Sequence, residues 1–151
     1  MDPLIRRHTL ADLLHRSAAR HPGKTAVICG DTHWSYAELD ALCSRLAAGL
    51  AGSGITQGDR VAVLARNSHA FAALRFALAR LGAVLVPINF MLKADEVAYI
   101  LRHAGVRLLA VDSGLHALGR QAAQRDTAVT RFLWLPSEDP STCPAGCLDF
   151  N

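Results

Sequence analysis

Gly58-Asp59-Arg60-Val61-Ala62-Val63-Leu64-Ala65-Arg66-Asn67-Ser68 is the stretch that decides the fold. Residues 60–65 are apolar almost throughout rather than at alternate positions. That is the pattern of a strand covered on both faces, and such strands belong to parallel sheets. A parallel neighbour requires a long crossover, usually a helix. Ser68 caps the next helical pattern, with Phe71, Leu74, Leu78 and Leu81 on its core face and Gly82 as its stop. Residues 83–86 then read as another buried strand closed by Pro87.

Working outward, the alternation continues. Val97, Ile100 and Leu101 mark a further helix, with Gly105 where a left-handed cap is wanted. Residues 107–111 read as a strand, 115–124 as a helix and 131–135 as a strand. Upstream, Thr9 and Asp12 suit a capping arrangement for a helix carrying Leu10, Leu13, Leu14 and Ala18, which stops before His21-Pro22-Gly23. Residues 25–29 read as a short buried strand, Gly30-Asp31 as a turn and His33-Trp34 as a returning strand. Ser35 and Glu38 form a capping box for a helix whose core face is Leu39, Leu42, Leu46 and Leu50, ended by Gly52 and Gly54. The expected fold is α/β, a largely parallel sheet with helices on both faces and right-handed crossovers. Residues 1–135 are expected to form this α/β subdomain, an incomplete part of a larger domain. Residues 136–151, with three prolines and little periodicity, are expected to be an irregular linker or truncated segment.

The 151 residues are 51% hydrophobic and 19% charged, an ordinary globular balance. The net charge of +3 is scattered, and Arg6-Arg7 is the only adjacent basic pair. Phosphate neutralisation drives nucleic-acid binding and demands a clustered basic stripe, so no nucleic-acid partner is expected. The longest charge-free runs, 46–58 and 81–92, fall short of a membrane span. No apolar signal segment follows Arg6-Arg7, and a cytoplasmic protein with reduced thiols is expected. Cys29 and Cys43 sit in apolar patterns. Cys143 and Cys147 lack a second Cys/His pair at metal-site spacing, so no metal site is expected from them.

Ligands of doubly wound sheets bind at the carboxyl ends of the strands. There, Arg66 and the start of the helix after Ser68 offer a place for an anion. The plainer reading makes Ser68 a cap and Arg66 a solvated side chain. Gly49, Gly52 and Gly54 end a helix, whereas a phosphate cradle must begin one. No complete Gly-x-x-x-x-Gly-Lys-Ser/Thr phosphate loop, Gly-x-Ser-x-Gly or His-Glu-x-x-His is present. Asp95-Glu96 read as first-turn acids that complement a helix dipole. No catalytic residue is assigned.

Four ordered segments resemble the N-terminal region of the adenylate-forming superfamily that includes acyl-CoA synthetases. They are Trp34-Ser35-Tyr36-Ala37-Glu38-Leu39, then Gly58 to Val63 with Arg66-Asn67-Ser68. After them come Ala79-Arg80-Leu81-Gly82-Ala83-Val84-Leu85-Val86-Pro87-Ile88-Asn89, and finally Asp95 to Leu101 with Gly105 and Val111-Asp112. The resemblance implies activation of a carboxylic acid, a fatty acid being favoured, by ATP and Mg²⁺ through an acyl-adenylate, with transfer to coenzyme A. It also implies that the residues for that work lie beyond this sequence, so the chain alone is expected to be inactive and to hold no cofactor tightly. Asn89 and Phe90 are the candidates for the coenzyme A side, with structural packing of the loop as the alternative role for both. The position of Met91 carries arginine in a common family pattern, which puts a direct phosphate contact from this loop in doubt. An incomplete sheet leaves an edge or apolar patch, so self-association is expected. The alternative reading is a stand-alone α/β interaction or binding module without the enzyme.

Overall fold

The structure is a computed structural model and describes residues 9–136 and 142–150. The Arg6-Arg7 pair and residues 137–141 and 151 of the 136–151 segment lie outside the described residues. Helix α1 (Leu10–Arg20) is followed by a hairpin of β1 (Thr25–Cys29) and β2 (Thr32–Ser35), and then by α2 (Tyr36–Gly52). The rest alternates: β3 (Arg60–Leu64), α3 (His69–Leu81), β4 (Val84–Pro87), α4 (Ala94–His103), β5 (Leu108–Val111), α5 (His116–Ala123) and β6 (Arg131–Trp134). A final β7 (Leu148–Asp149) closes the series.

Local chemistry sets these boundaries. Thr9 accepts the Asp12 N–H while Asp12 returns a bond to the Thr9 N–H, so the first helix starts with a reciprocal cap. The Ser35 hydroxyl accepts the Glu38 N–H at 3.3 Å, and the Ser35 N–H donates to Glu38 Oε2 at 2.7 Å. Ser68 Oγ accepts the Phe71 N–H, which makes the plainer reading of Ser68 correct. Asp95 and Glu96 occupy the first turn of α4, where Glu96 Oε2 also accepts the Lys93 N–H.

Five strands form one parallel sheet in the order β4-β3-β5-β6-β7. The two-residue periodicity of a strand sorts their side chains between two cores. Val61, Val63, Leu108, Ala110 and Leu133 face α1, α2 and α3, packing with Leu14, Leu39, Leu46, Leu74 and Leu78. Ala62, Leu64, Leu109, Val111, Phe132 and Trp134 face α4 and α5, with Val97 and Leu101. Every residue of β5 is buried, which is why its sequence shows no alternation. The α/β architecture with helices on both faces is as the sequence implies.

Three elements differ from the sequence reading. β1 pairs antiparallel with β2 alone, in a separate two-stranded sheet, and Ile28 is 68% exposed. A short apolar run looks the same whether it is covered on two sides or packed on one. β4 is an edge strand rather than a buried one, and its Val84 is largely exposed. Finally, Leu148–Asp149 adds a strand beside β6 and buries Phe150 in the first core, inside a segment read as irregular.

Candidate functional site

β3 lies between β4 and β5, so the chain leaves it toward one side and later crosses to the other. The crevice above this reversal is where doubly wound sheets bind ligands. A cleft of about 680 Å³ opens there. Its walls come from the loop after β3 (Arg66, Asn67, Ser68), the loop after β5 (Asp112, Ser113, Gly114), Pro136 after β6, and the hairpin turn 29–32. His69 at the start of α3 completes it.

Asp112 is the one buried charged side chain among the described residues. Its Oδ2 accepts the Arg66 N–H at 2.9 Å and its Oδ1 accepts the Leu115 N–H at 3.0 Å. One carboxylate thus ties the two loops that flank the switch point and satisfies two amides. His69 sets its ring edge-on to Trp34, with centroids 5.0 Å apart. Its Nδ1 is buried with no hydrogen-bond partner among the described residues, and burial pushes its pKa below the usual imidazole range. Burial thus favours the neutral imidazole.

Asn89 and Phe90 lie on the loop after β4, both exposed. Asn89 Oδ1 accepts the Met91 N–H at 3.0 Å, so that side chain shapes its own turn. Phe90 supports Arg66, whose guanidinium carbon stands 5.7 Å from the ring centroid. Arg66 is thus exposed yet stacked, which neither reading of its sequence context anticipates.

Elsewhere, Cys147 Sγ lies 3.9 Å from His116 Nε2, a neighbour 31 positions away that sequence spacing does not reveal. Cys143 and Cys147 are both free thiols. No cluster of three or more metal-ligating side chains occurs among the described residues. No helix among them is long and apolar enough to cross a membrane.

The cleft therefore offers the Arg66 cation, the carboxylates of Asp31 and Asp112, the His69 imidazole, backbone groups and glycine-lined space. Ser68 is engaged as a helix cap and Asp112 by two amides. A parallel sheet with a cleft at its switch point places the chain in the doubly wound α/β class, whose ligands bind at that crevice. Within that class the chain belongs to the AMP-binding enzyme family, whose model matches residues 14–144.

It is 38% identical over 109 residues to the peroxisomal benzoate–CoA ligase of Arabidopsis thaliana, covering 72% of this chain and 19% of that protein. With the 2,3-dihydroxybenzoate-AMP ligase of Bacillus subtilis (strain 168) it shares 44% identity over 96 residues, 64% of this chain and 18% of that protein. A Mycobacterium tuberculosis fatty acyl CoA synthetase superposes with a TM-score of 0.79 at 34% identity. That match covers 84% of this chain and 26% of the other. The chain spans about a fifth of the length of the curated relatives it matches.

Proposed function

We propose that this chain supplies the N-terminal α/β part of an ATP-dependent carboxylic acid–CoA ligase. In such a reaction the carboxylate oxygen attacks the α-phosphorus of ATP, giving an acyl-adenylate and releasing pyrophosphate. The thiol of coenzyme A then attacks the acyl carbon and AMP leaves. The observation that carries the reading is the family match over residues 14–144, on a sheet with a cleft at its switch point.

A fatty acid is the proposed substrate, supported by the likeness to a fatty acyl CoA synthetase. The two curated relatives act by name on aromatic acids, so a test must span both kinds. Asn89 and Phe90 are proposed to line the coenzyme A side, where the half-exposed Phe90 ring offers an apolar face. The Mg²⁺ that accompanies ATP would neutralise phosphate charge. The described residues do not form a cage for it, so no step is drawn through the ion. The 151 residues contain no Pro-Lys-Gly segment, and Gly23-Lys24-Thr25 lacks the leading glycine of a Gly-x-x-x-x-Gly-Lys-Ser/Thr phosphate loop because Ala18 stands there. We propose that the chain alone forms no acyl-adenylate. A cytoplasmic location remains the proposal, although one relative is peroxisomal by name.

The experiment is ATP–pyrophosphate exchange with a panel of aliphatic and aromatic acids, on this chain and on the product of its complete reading frame. Exchange by the complete product alone supports both proposals and names the acid. Exchange by the 151-residue chain overturns its inertness. Absence of exchange in both overturns the ligase reading and leaves a binding module.

A further inference from the structure

We infer that Arg66 anchors an anion site at the lip of the switch-point cleft, and that the ligand held there carries a phosphate group. The backbone of Arg66 is fixed, because its N–H is bound by the buried Asp112 carboxylate. Its side chain is exposed but not loose. The guanidinium lies over Phe90 from the loop after β4. It also lies against the loop after β5, where a Cβ at Gly114 would come within 2.9 Å of Arg66 Nη1. Loops from three adjacent strands therefore converge on one cation.

None of the ion pairs among the described residues involves Arg66. Stacking on a ring occupies the flat face of a guanidinium and leaves its in-plane N–H donors free. Asp31 and Asp112 also line this space, and a Cβ at Gly114 would lie 3.6 Å from Asp112 Oδ1. The Asp112 oxygens are taken by two amides, however, so a positioned cation with open donors beside about 680 Å³ of space suits a small ligand that brings an anion. The helix start contributes little here, since the Ser68 hydroxyl already takes the Phe71 N–H.

Phosphate is favoured over carboxylate for two reasons. An exposed pair of single charges contributes little, so a useful hold at this lip calls for the double charge of a phosphate group. The fork of N–H donors also matches two phosphate oxygens at once. The inference deepens the ligase reading and rests on it only for the expectation that the phosphate arrives on a nucleotide.

The test is calorimetric titration of the 151-residue chain and of Arg66→Ala and Phe90→Leu with four probes. These are inorganic pyrophosphate, adenosine 3′,5′-bisphosphate, adenosine and benzoate. Arg66→Ala should weaken both phosphate-bearing probes by about tenfold, the size expected for a lost charge-assisted contact. It should leave adenosine and the thermal midpoint unchanged. Phe90→Leu, which frees the guanidinium without removing it, should weaken the same two probes by a smaller factor. Equal phosphate binding by wild type and Arg66→Ala overturns the inference, and so does wild-type protein that binds neither phosphate. Benzoate held through Arg66 in place of the phosphates also overturns it. No turnover is involved, so a failed exchange assay in the complete product would sink the ligase reading without deciding this result.

Discussion

Asp112 accepts the backbone N–H of Arg66 across 46 positions of sequence, at 2.9 Å, and so joins the loops on either side of the sheet's switch point. The same carboxylate also holds the Leu115 N–H that begins the turn into α5. Asp112→Ala leaves the Arg66 amide unpaired, while the Leu115 amide keeps its 3.2 Å bond to the residue 112 carbonyl. It should cost about 1–3 kcal/mol, read as a lower urea midpoint at constant slope. Asp112→Asn retains one acceptor and should cost less. An unchanged midpoint in the alanine variant would mean that the loops are held by something else.

The Ser35–Glu38 cap predicts a pH effect with a definite sign. Bonds from the Ser35 N–H and hydroxyl hold the Glu38 carboxyl below its ordinary 4.5. A depressed carboxylate contributes stability that is fully present above 4.5 and is lost as pH falls through the lowered value. Ser35→Ala should return the Glu38 titration toward 4.5 in a side-chain NMR experiment. A titration at the same pH in both proteins contradicts the assignment.

Cys43 behaves in the opposite sense. Burial pushes its thiol up from 9.0 to about 11, and its Sγ–H donates to the Ala73 carbonyl between α2 and α3. The neutral thiol is the favoured form, so its contribution is present below pH 9.0 and declines as pH rises toward 11. Among the four cysteines Cys43 should be alkylated last by iodoacetamide at pH 8, with mass spectrometry as the readout. Early modification of Cys43 in the folded protein would show that the α2–α3 contact opens readily.

Gly82 ends α3 in the left-handed region, at φ 68°. A Cβ there would also meet Gln57 Cγ at 3.0 Å. Gly82→Ala should destabilise the protein by about 1–2 kcal/mol, the usual cost of that conformation for a residue with a side chain. Calorimetric unfolding provides the check, and a neutral effect would imply that the turn relaxes to another conformation.

β4 is an open edge whose Val84 is 47% exposed, close in sequence to the exposed Phe90 and Met91. We expect the 151-residue chain to self-associate through this side, and Val84→Lys to reduce it. Light scattering across a wide concentration range is the measurement. A monomer throughout would remove the expectation.

The parts of this molecule that could be read in advance are those whose physics is local. Thr9 with Asp12, Ser35 with Glu38, and Ser68 before Phe71 carry their partners three residues away, so the helix starts are visible in the sequence. Residues 61–65 announce a strand covered on both faces because every position there is apolar and buried. The hairpin is different, since Val27 and Ile28 look equally apolar although one is partly covered and the other projects to solvent. Leu148–Asp149 is too short to show any period at all. In the cleft, Arg66 was visible as a charge after a strand. Its support by Phe90 and the tie through Asp112 depend on pairs 24 and 46 positions apart, which only the packed sheet brings together.

The placement of β3 at residues 60–64 bears on how the chain is made. α1, α2 and the hairpin come off the ribosome first, yet the surface that covers their apolar faces is built from Val61, Val63, Leu74 and Leu78. Until those residues emerge, Leu39, Leu46 and Leu50 have no sheet to close on. A nascent chain paused before β3 is thus a natural client for ribosome-associated chaperones. Synonymous changes that slow translation just upstream of Arg60 should lower soluble yield more than equal delays placed after β5.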